Sequence, residues 1–365
     1  MGNKPTARVP DSIRMCDRSS LASWGAFYVG GEYELFDENV EGLPGLAESS
    51  VMRGQMYVEV YVPQKVAKPY PLVCLPGNHW SGLYYLTTPD GRPGLAQYFW
   101  ERGYIVYVCD VPSRGRADCM MKPGQEKFVT SAEKCERLFA GKGDPKYTQW
   151  PGSPDKGTPV FDNFYATSVP SLTDNAQMQS YAQKAGAALL DRIGPAILVN
   201  HSQSGPFGWL IADARPGLVK GLMQFEPKGP PFHDDSKRRE GENAVWGLTE
   251  IRMNYDPPAS APEELRLQPY TPEDPGLRAG WMQEEPARRL PNLRDVPIAI
   301  ITSTSTHSAY DYLTVMYLKQ AGVRNVTHID LKKHGQPGNS HVMIVEKNTL
   351  EIFELCNGWL EGITG

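Results

Sequence analysis

Two segments near the start of the chain alternate between apolar and polar positions: "AFYVGGEYEL" (26–35) and "GQMYVEVYVP" (54–63). Both are rich in Val and Tyr. The period of two predicts a pair of strands, antiparallel, at the edge of a sheet. The pattern then changes. "YPLVCLPGN" is a short and almost wholly apolar run that stops at Pro-Gly, "GLAQYFWERG" (94–103) has helical spacing, and "YIVYVCDVPSRGRA" is again apolar before it turns polar. Strand, helix and strand at this spacing predict a parallel sheet with right-handed crossovers. Further along, "PAILVNHSQSG", "LVKGLMQFEPKGPPF", "VPIAIITST" and "NVTHIDL" read as strands. "NAQMQSYAQKAGAALLDRIG" (175–194) and "AYDYLTVMYLKQAG" read as helices, and "VMIVEKNTLEIFELCNGWLEG" as a closing amphipathic helix.

Two intervals break the alternation. Residues 117–173 are dense in Gly, Pro and Lys, and residues 227–291 are dense in Pro, with no convincing strand. Loops of that length in a folded domain have a function or move. They interrupt one sheet and do not separate two, so the chain 1–365 reads as a single α/β domain. Its mostly parallel eight-stranded sheet is flanked by helices, and the insertions form a cap or lid.

Composition removes alternatives. The 365 residues carry a formal net charge of −5, without a Lys/Arg run, so neither nucleic acid nor an anionic membrane is an expected partner. No apolar run approaches the roughly 20 residues that span a bilayer. The opening "MGNKPTARVPDSIRMC" lacks the apolar core of a signal peptide, and its Met-Gly resembles a myristoylation site only weakly. The six cysteines form no C-x-x-C pair, which argues against zinc and thioredoxin-type chemistry. Cys74 and Cys109 read as buried thiols; Cys119 and Cys135 would pair only in an oxidising compartment. The expected location is cytoplasmic, with no metal and no cofactor.

The chemistry centres on "VNHSQSG". A strand, a turn with serine at its apex and then a helix place a hydroxyl at the carboxyl edge of the sheet, with small residues two before and two after it. Centred on Ser202, those positions are Asn200 and Ser204, and Asn200 tolerates a left-handed backbone. Centred on Ser204, Pro206 falls where a small residue is needed, and Ser204 reads instead as a helix cap. Ser202 is the candidate nucleophile. The oxyanion hole would use the amide of Gln203 and that of Asn78 in "LPGNHWSG", where Gly77 allows close approach. The usual place for the acid, after the seventh strand, has no carboxylate until Asp311. Glu226, at the tip of the sixth strand, is therefore the candidate acid and Asp311 the second candidate. Two histidines follow the last strand. His341 stands before the closing helix and is the candidate base, whereas His334 beside Lys332 and Lys333 reads as a solvated loop. His328 reads as structural, His201 as pointing into the scaffold and His233 as solvated. His79, Trp80, Tyr84 and Trp246 are candidates for the substrate pocket.

The order Ser202, Glu226, His341 is that of an α/β-hydrolase triad. With "LPGNHWSG", "TTPDGRPG", "GYIVYVCDVPSRGRA", "VNHSQSG", "FEPKGPPF" and "GNSHVMIVEKNTLEIFELCNGWL", the chain from about Leu75 onward resembles one branch of the α/β-hydrolases. These are the bacterial esterases with a Ser-Glu-His triad whose acid follows the sixth strand, and their fungal relatives. Bacterial members can carry adjacent cysteines in the oxyanion loop; here Asn78 and His79 stand there and exclude that disulfide. The resemblance implies ester or lactone chemistry and a homodimer, and leaves the substrate open. The first expectation is a cofactor-free serine hydrolase, cleaving an ester or lactone of a bulky apolar small molecule through an acyl-enzyme. Acyl transfer, C–C cleavage or cyclisation of a natural-product intermediate is the second, and a non-catalytic binder on the same fold the third.

Overall fold

Eight strands build the central sheet of the protein, a computed structural model that describes residues 17–36, 49–119, 121–122, 124–233 and 244–364. They are β1 (Leu21–Phe36), β2 (Ser49–Pro63), β3 (Leu72–Leu75), β4 (Val106–Asp110), β5 (Ala196–His201), β6 (Val219–Phe225), β7 (Ile298–Thr302) and β8 (Val326–Asp330). Their order across the sheet is β1-β2-β4-β3-β5-β6-β7-β8. β1 pairs antiparallel with β2, and β2 antiparallel with β4; every other pairing is parallel. The opening stretch 1–16, on which the reading of the chain's start rested, lies outside the described residues, as does part of the second insertion (234–243).

The inner strands are apolar on both sides because both faces are covered. Val73, Leu75, Leu198, Leu222 and Ile300 point into one core with helices α2 (Asn175–Ile193), α3 (Ser204–Ala214) and α4 (Asp311–Gln320). Their neighbours Leu72, Cys74, Ile197, Val199, Met223 and Ile301 point into the other, with α1 (Leu95–Trp100) and α5 (Thr349–Thr364). Each fully buried aliphatic side chain stabilises the fold by about 1.5–3 kcal/mol relative to exposure. This two-sided burial fixes the register of the sheet and hence the height at which its carboxyl ends deliver side chains.

Three differences from the sequence pattern have local causes. The insertion 227–291 contains a hairpin, Leu267–Tyr270 against Gly280–Gln283. Its sequence hides it because the support is tertiary: Gln320 of α4 accepts from the Gln283 amide (3.1 Å) and donates to its carbonyl (2.9 Å). The insertion 117–173 folds into short helices, Ala132–Leu138 and Pro159–Tyr165, and a two-residue ladder, Lys127–Phe128 with Ser171–Leu172. The closing helix begins only at Thr349, because the residues before it bind other groups. Glu346 accepts from the Ser340 amide and from Asn339 Nδ2 (2.7 Å), while Asn339 and Asn348 bond each other reciprocally. Cys74, Cys109, Cys119, Cys135 and Cys356 are free thiols, all buried but Cys119, which is half-buried.

Candidate active site

Ser202 follows β5 and precedes α3. It adopts φ +54°, a left-handed conformation that non-glycine residues occupy only where surroundings hold them. Here they do: the Ser202 amide donates to the Phe225 carbonyl (3.0 Å), and its own carbonyl accepts from Gly205 (2.9 Å) and Lys228 (2.8 Å). The left-handed residue of the turn is thus Ser202 and not Asn200, as the pattern had suggested. Asn200 stays in β5 and donates from Nδ2 to the Ser204 carbonyl (2.8 Å). Ser204 is fully buried, and its hydroxyl accepts from the His201 amide (2.7 Å) and donates to the Leu75 carbonyl (2.6 Å). The Ser202 side chain instead lines a cavity of about 580 Å³ and forms no hydrogen bond within the described residues.

Glu226 comes directly after β6, also left-handed at φ +41° and wholly buried. Its carboxylate accepts from the Ser303 amide (2.7 Å), the Ser303 hydroxyl (2.6 Å), the Ser305 hydroxyl (2.8 Å) and His341 Nδ1 (2.6 Å). Burial alone would raise its pKa. The nearby charge of His307 and the hydrogen bonds from His341 and Ser303 outweigh burial and hold the carboxyl below its ordinary value. An ionised Glu226 requires the proton on His341 Nδ1, leaving Nε2 bare. His341 lines the same cavity as Ser202. Its pKa is lowered, first by burial and then by the charge of His307, against the opposing pull of Glu226.

Gly77 shows why the loop after β3 needs a glycine. A Cβ there would lie 2.7 Å from His201 Nδ1 and 3.1 Å from Ser202 Cβ. Asn78 and Gln203 both line the cavity, and neither backbone amide donates to a protein acceptor among the described residues.

The pocket candidates divide. His79 and Trp80 line the cavity. Tyr84 does not: it lies one layer behind, stacked on Trp80 at 5.0 Å. Trp246 is a core residue, 8 % exposed, whose carbonyl accepts from the Tyr255 hydroxyl. His233, expected in solvent, lines the cavity instead. His201 points inward, bonding the His341 carbonyl through Nε2 (2.8 Å), so strand β5 and the His341 loop are tied together. His328 bonds Thr302 (2.9 Å), and His334 is exposed. The "TTPDGRPG" turn also serves this loop: Arg92 donates to the carbonyls of Glu346 (2.8 Å) and Lys347 (3.1 Å). Glu346 itself is buried, and burial pushes its carboxyl up to about 7.

His307 was missed by the sequence reading. It lines the cavity, stacks on His341 (4.8 Å between centroids, 15° between planes) and bonds Asp311 through Nδ1 (3.0 Å). Asp311 therefore holds His307 and not His341. Burial opposes the charge on His307, but Asp311 and Glu226 overcome this and raise its pKa. The spacing of His307 and Asp311, i and i+4 at a helix start, was the available signal. Glu226, His307 and His341 also form the one cluster with metal-ligand spacing among the described residues. The two rings lie face to face, so their nitrogen lone pairs do not converge on a common point.

No protein-family model matches the chain. A fungal protein named "Probable secreted lipase phiG", from Fungal sp. (strain ATCC 74256), is 40% identical over 344 residues, covering 92% of this chain and 88% of its own. The chain belongs to the α/β-hydrolases. The solved structure of a novel bacterial esterase has the same fold over 100% of both chains, with a TM-score of 0.68 and 20% identity. Within the α/β-hydrolases, kinship with a lipase at this identity and coverage makes the chain a carboxylic ester hydrolase. The cytoplasmic location expected from the sequence is overturned by the same relative, which is named as secreted.

Proposed function

We propose that this α/β-hydrolase cleaves a carboxylic ester or lactone of a bulky small molecule through an acyl-enzyme on Ser202. The observation that carries the reading is the shared cavity: Ser202, His341, Asn78 and Gln203 all line it, with Glu226 buried behind His341. Ser202 attacks the acyl carbon while His341 Nε2 takes its proton. The amides of Asn78 and Gln203 receive the oxyanion, and Glu226 holds the imidazolium. The intermediate then collapses: the C–O bond to the alcohol breaks, and His341 gives its proton to the departing oxygen. Neutral again, His341 activates water, which attacks the acyl carbon and frees Ser202, and the acid leaves. The apolar body of the substrate lies against Trp80 and Phe139, and its polar end meets Lys228 and Arg278. Both insertions supply lining residues, Thr130, Lys134 and Phe139 from the first and Lys228, His233 and Arg278 from the second; they are the cap. A place outside the cell is proposed from the name of the fungal relative.

A fluorophosphonate probe with peptide mapping tests the nucleophile. The label is expected on Ser202 in wild type and in Ser204→Ala, and absent in Ser202→Ala. A label on Ser204, or none on folded wild-type protein, would leave the fold as a binding scaffold.

The pH profile tests the base. His341 must be neutral to act, and its folded pKa lies below the ordinary value of about 6.5. Activity is therefore full above that value and falls as pH drops through the lowered one. His307→Gln removes a cation stacked on His341, so the acid limb of kcat/KM should move upward. A limb unmoved by His307→Gln, or a flat profile from about pH 5 to 8, counts against the assignment.

A further inference from the structure

Arg114 is among the largest side chains sealed completely from solvent, 0% exposed, and it forms no ion pair among the described residues. The nearest candidate counter-charge, Asp110, is committed elsewhere, to the Gly82 amide (2.6 Å) and to the amide and Nε of Arg116 (2.9 and 2.8 Å). Burial lowers the Arg114 pKa to about 9, and the charge of Asp110 opposes this only in part. A cation without a contacting carboxylate is costly to keep inside a protein, so what it touches is informative. Nη1 donates to the Gly77 carbonyl (2.5 Å) and Nη2 to Gln203 Oε1 (2.9 Å).

Those two acceptors belong to the two parts of the site that bear the open amides. The Gly77 carbonyl and the Asn78 N–H are opposite ends of one planar trans peptide group, and they point in opposite directions. A guanidinium that holds the oxygen therefore aims the N–H the other way. That peptide packs directly on Ser202, whose Cβ lies 3.1 Å from where a Gly77 Cβ would be. Gln203 carries the second amide on its own backbone. Its side chain is stretched between Arg114 and Asn175, to which Nε2 donates at 2.6 Å, so residue 203 cannot turn. The fork geometry of arginine is what lets one side chain reach both.

We propose that Arg114 is the positioning residue of the oxyanion hole: through Gly77 and Gln203 it fixes both amide donors and sets a buried positive charge behind the forming oxyanion. This rests on the assignment of Ser202 as nucleophile. Arg114 never touches substrate. Its charge polarises the Gly77–Asn78 peptide and strengthens the N–H as a donor, and the dry surroundings keep that charge unscreened.

The test uses the full chain with Arg114→Met and Arg114→Lys. It measures kcat and KM on an activated ester, the inhibition constant of a trifluoromethyl ketone, and fluorophosphonate labelling. Arg114→Met is expected to lower kcat by about 10²–10³-fold, the effect of losing one oxyanion donor, with KM within about threefold of wild type. Affinity for the trifluoromethyl ketone, which forms an oxyanion on Ser202, should fall in step with kcat/KM. Arg114→Lys keeps the charge but reaches only one acceptor, and should fall between the two. A lysine variant with wild-type kcat overturns the proposal even if the methionine variant fails to fold. So does a folded methionine variant whose trifluoromethyl ketone affinity is unchanged. Wild-type protein that takes no label on Ser202 would instead overturn the nucleophile assignment.

Discussion

Ser202→Ala is expected to lower kcat by about 10⁶-fold, the scale on which loss of a serine nucleophile is felt, without lowering stability. The side chain is half-buried and forms no hydrogen bond within the described residues, so nothing in the fold leans on it. The left-handed backbone at this position is secured by main-chain bonds to Phe225, Gly205 and Lys228, which alanine keeps. A residual rate about 10³–10⁴-fold above that in water should persist, because the oxyanion donors and the pocket stay in place. Saturating turnover and thermal unfolding, read on the same preparation, check this. A variant within tenfold of wild type would remove Ser202 from the chemistry.

Glu226→Gln carries the second largest expectation, a fall in kcat of about 10⁴-fold, as when the acid of such a triad is neutralised. An amide at this position can present N–H to His341 Nδ1 and so stabilise the wrong tautomer, with the proton on Nε2 facing Ser202. It also leaves the hydroxyls of Ser303 and Ser305, which now donate to the carboxylate, without a charged acceptor. Asp311→Asn is the control. Asp311 bonds His307 and Thr302 and forms no hydrogen bond with His341 among the described residues, so its loss should cost far less. Side-by-side values of kcat decide between the two carboxylates: a larger loss in Asp311→Asn than in Glu226→Gln would reverse their roles.

The parts of the molecule visible in the sequence are those where local pattern and burial agree. β5 reads as a strand because Ala196–Val199 are apolar and sealed on both faces, and the serine turn follows from the small residues around it. Glu226 was reached by elimination, from the absence of a carboxylate directly after β7. What escaped depends on partners distant in the chain. The hairpin in the second insertion is held by Gln320, and Arg114 acquires meaning only from Gly77 and Gln203. Tyr84 and Trp246 are large aromatics in segments near the site, and nothing in their sequence neighbourhood distinguishes a wall of the cavity from a layer behind it. His307 has local partners in Tyr310 and Asp311, but what ties it to the site is its stacking on His341, from the loop that follows β8.

Glu346 makes stability fall over the pH interval in which His341 becomes an active base. Its carboxyl, buried beneath the Ser340–His341 turn, binds its proton more tightly folded than unfolded, with a folded pKa of about 7. A raised value means that the stability it supports is present in full below the unfolded value of about 4.3 and is lost as pH climbs through 7. Spanning that interval costs on the order of 3 kcal/mol of folding stability. Deprotonation thus has opposite effects as pH rises from about 4 to 7: at His341 it frees the base, and at Glu346 it withdraws stability. Above about 7 the carboxyl is ionised folded and unfolded alike and costs nothing further, so the molecule trades robustness for reactivity on the acid side of neutrality.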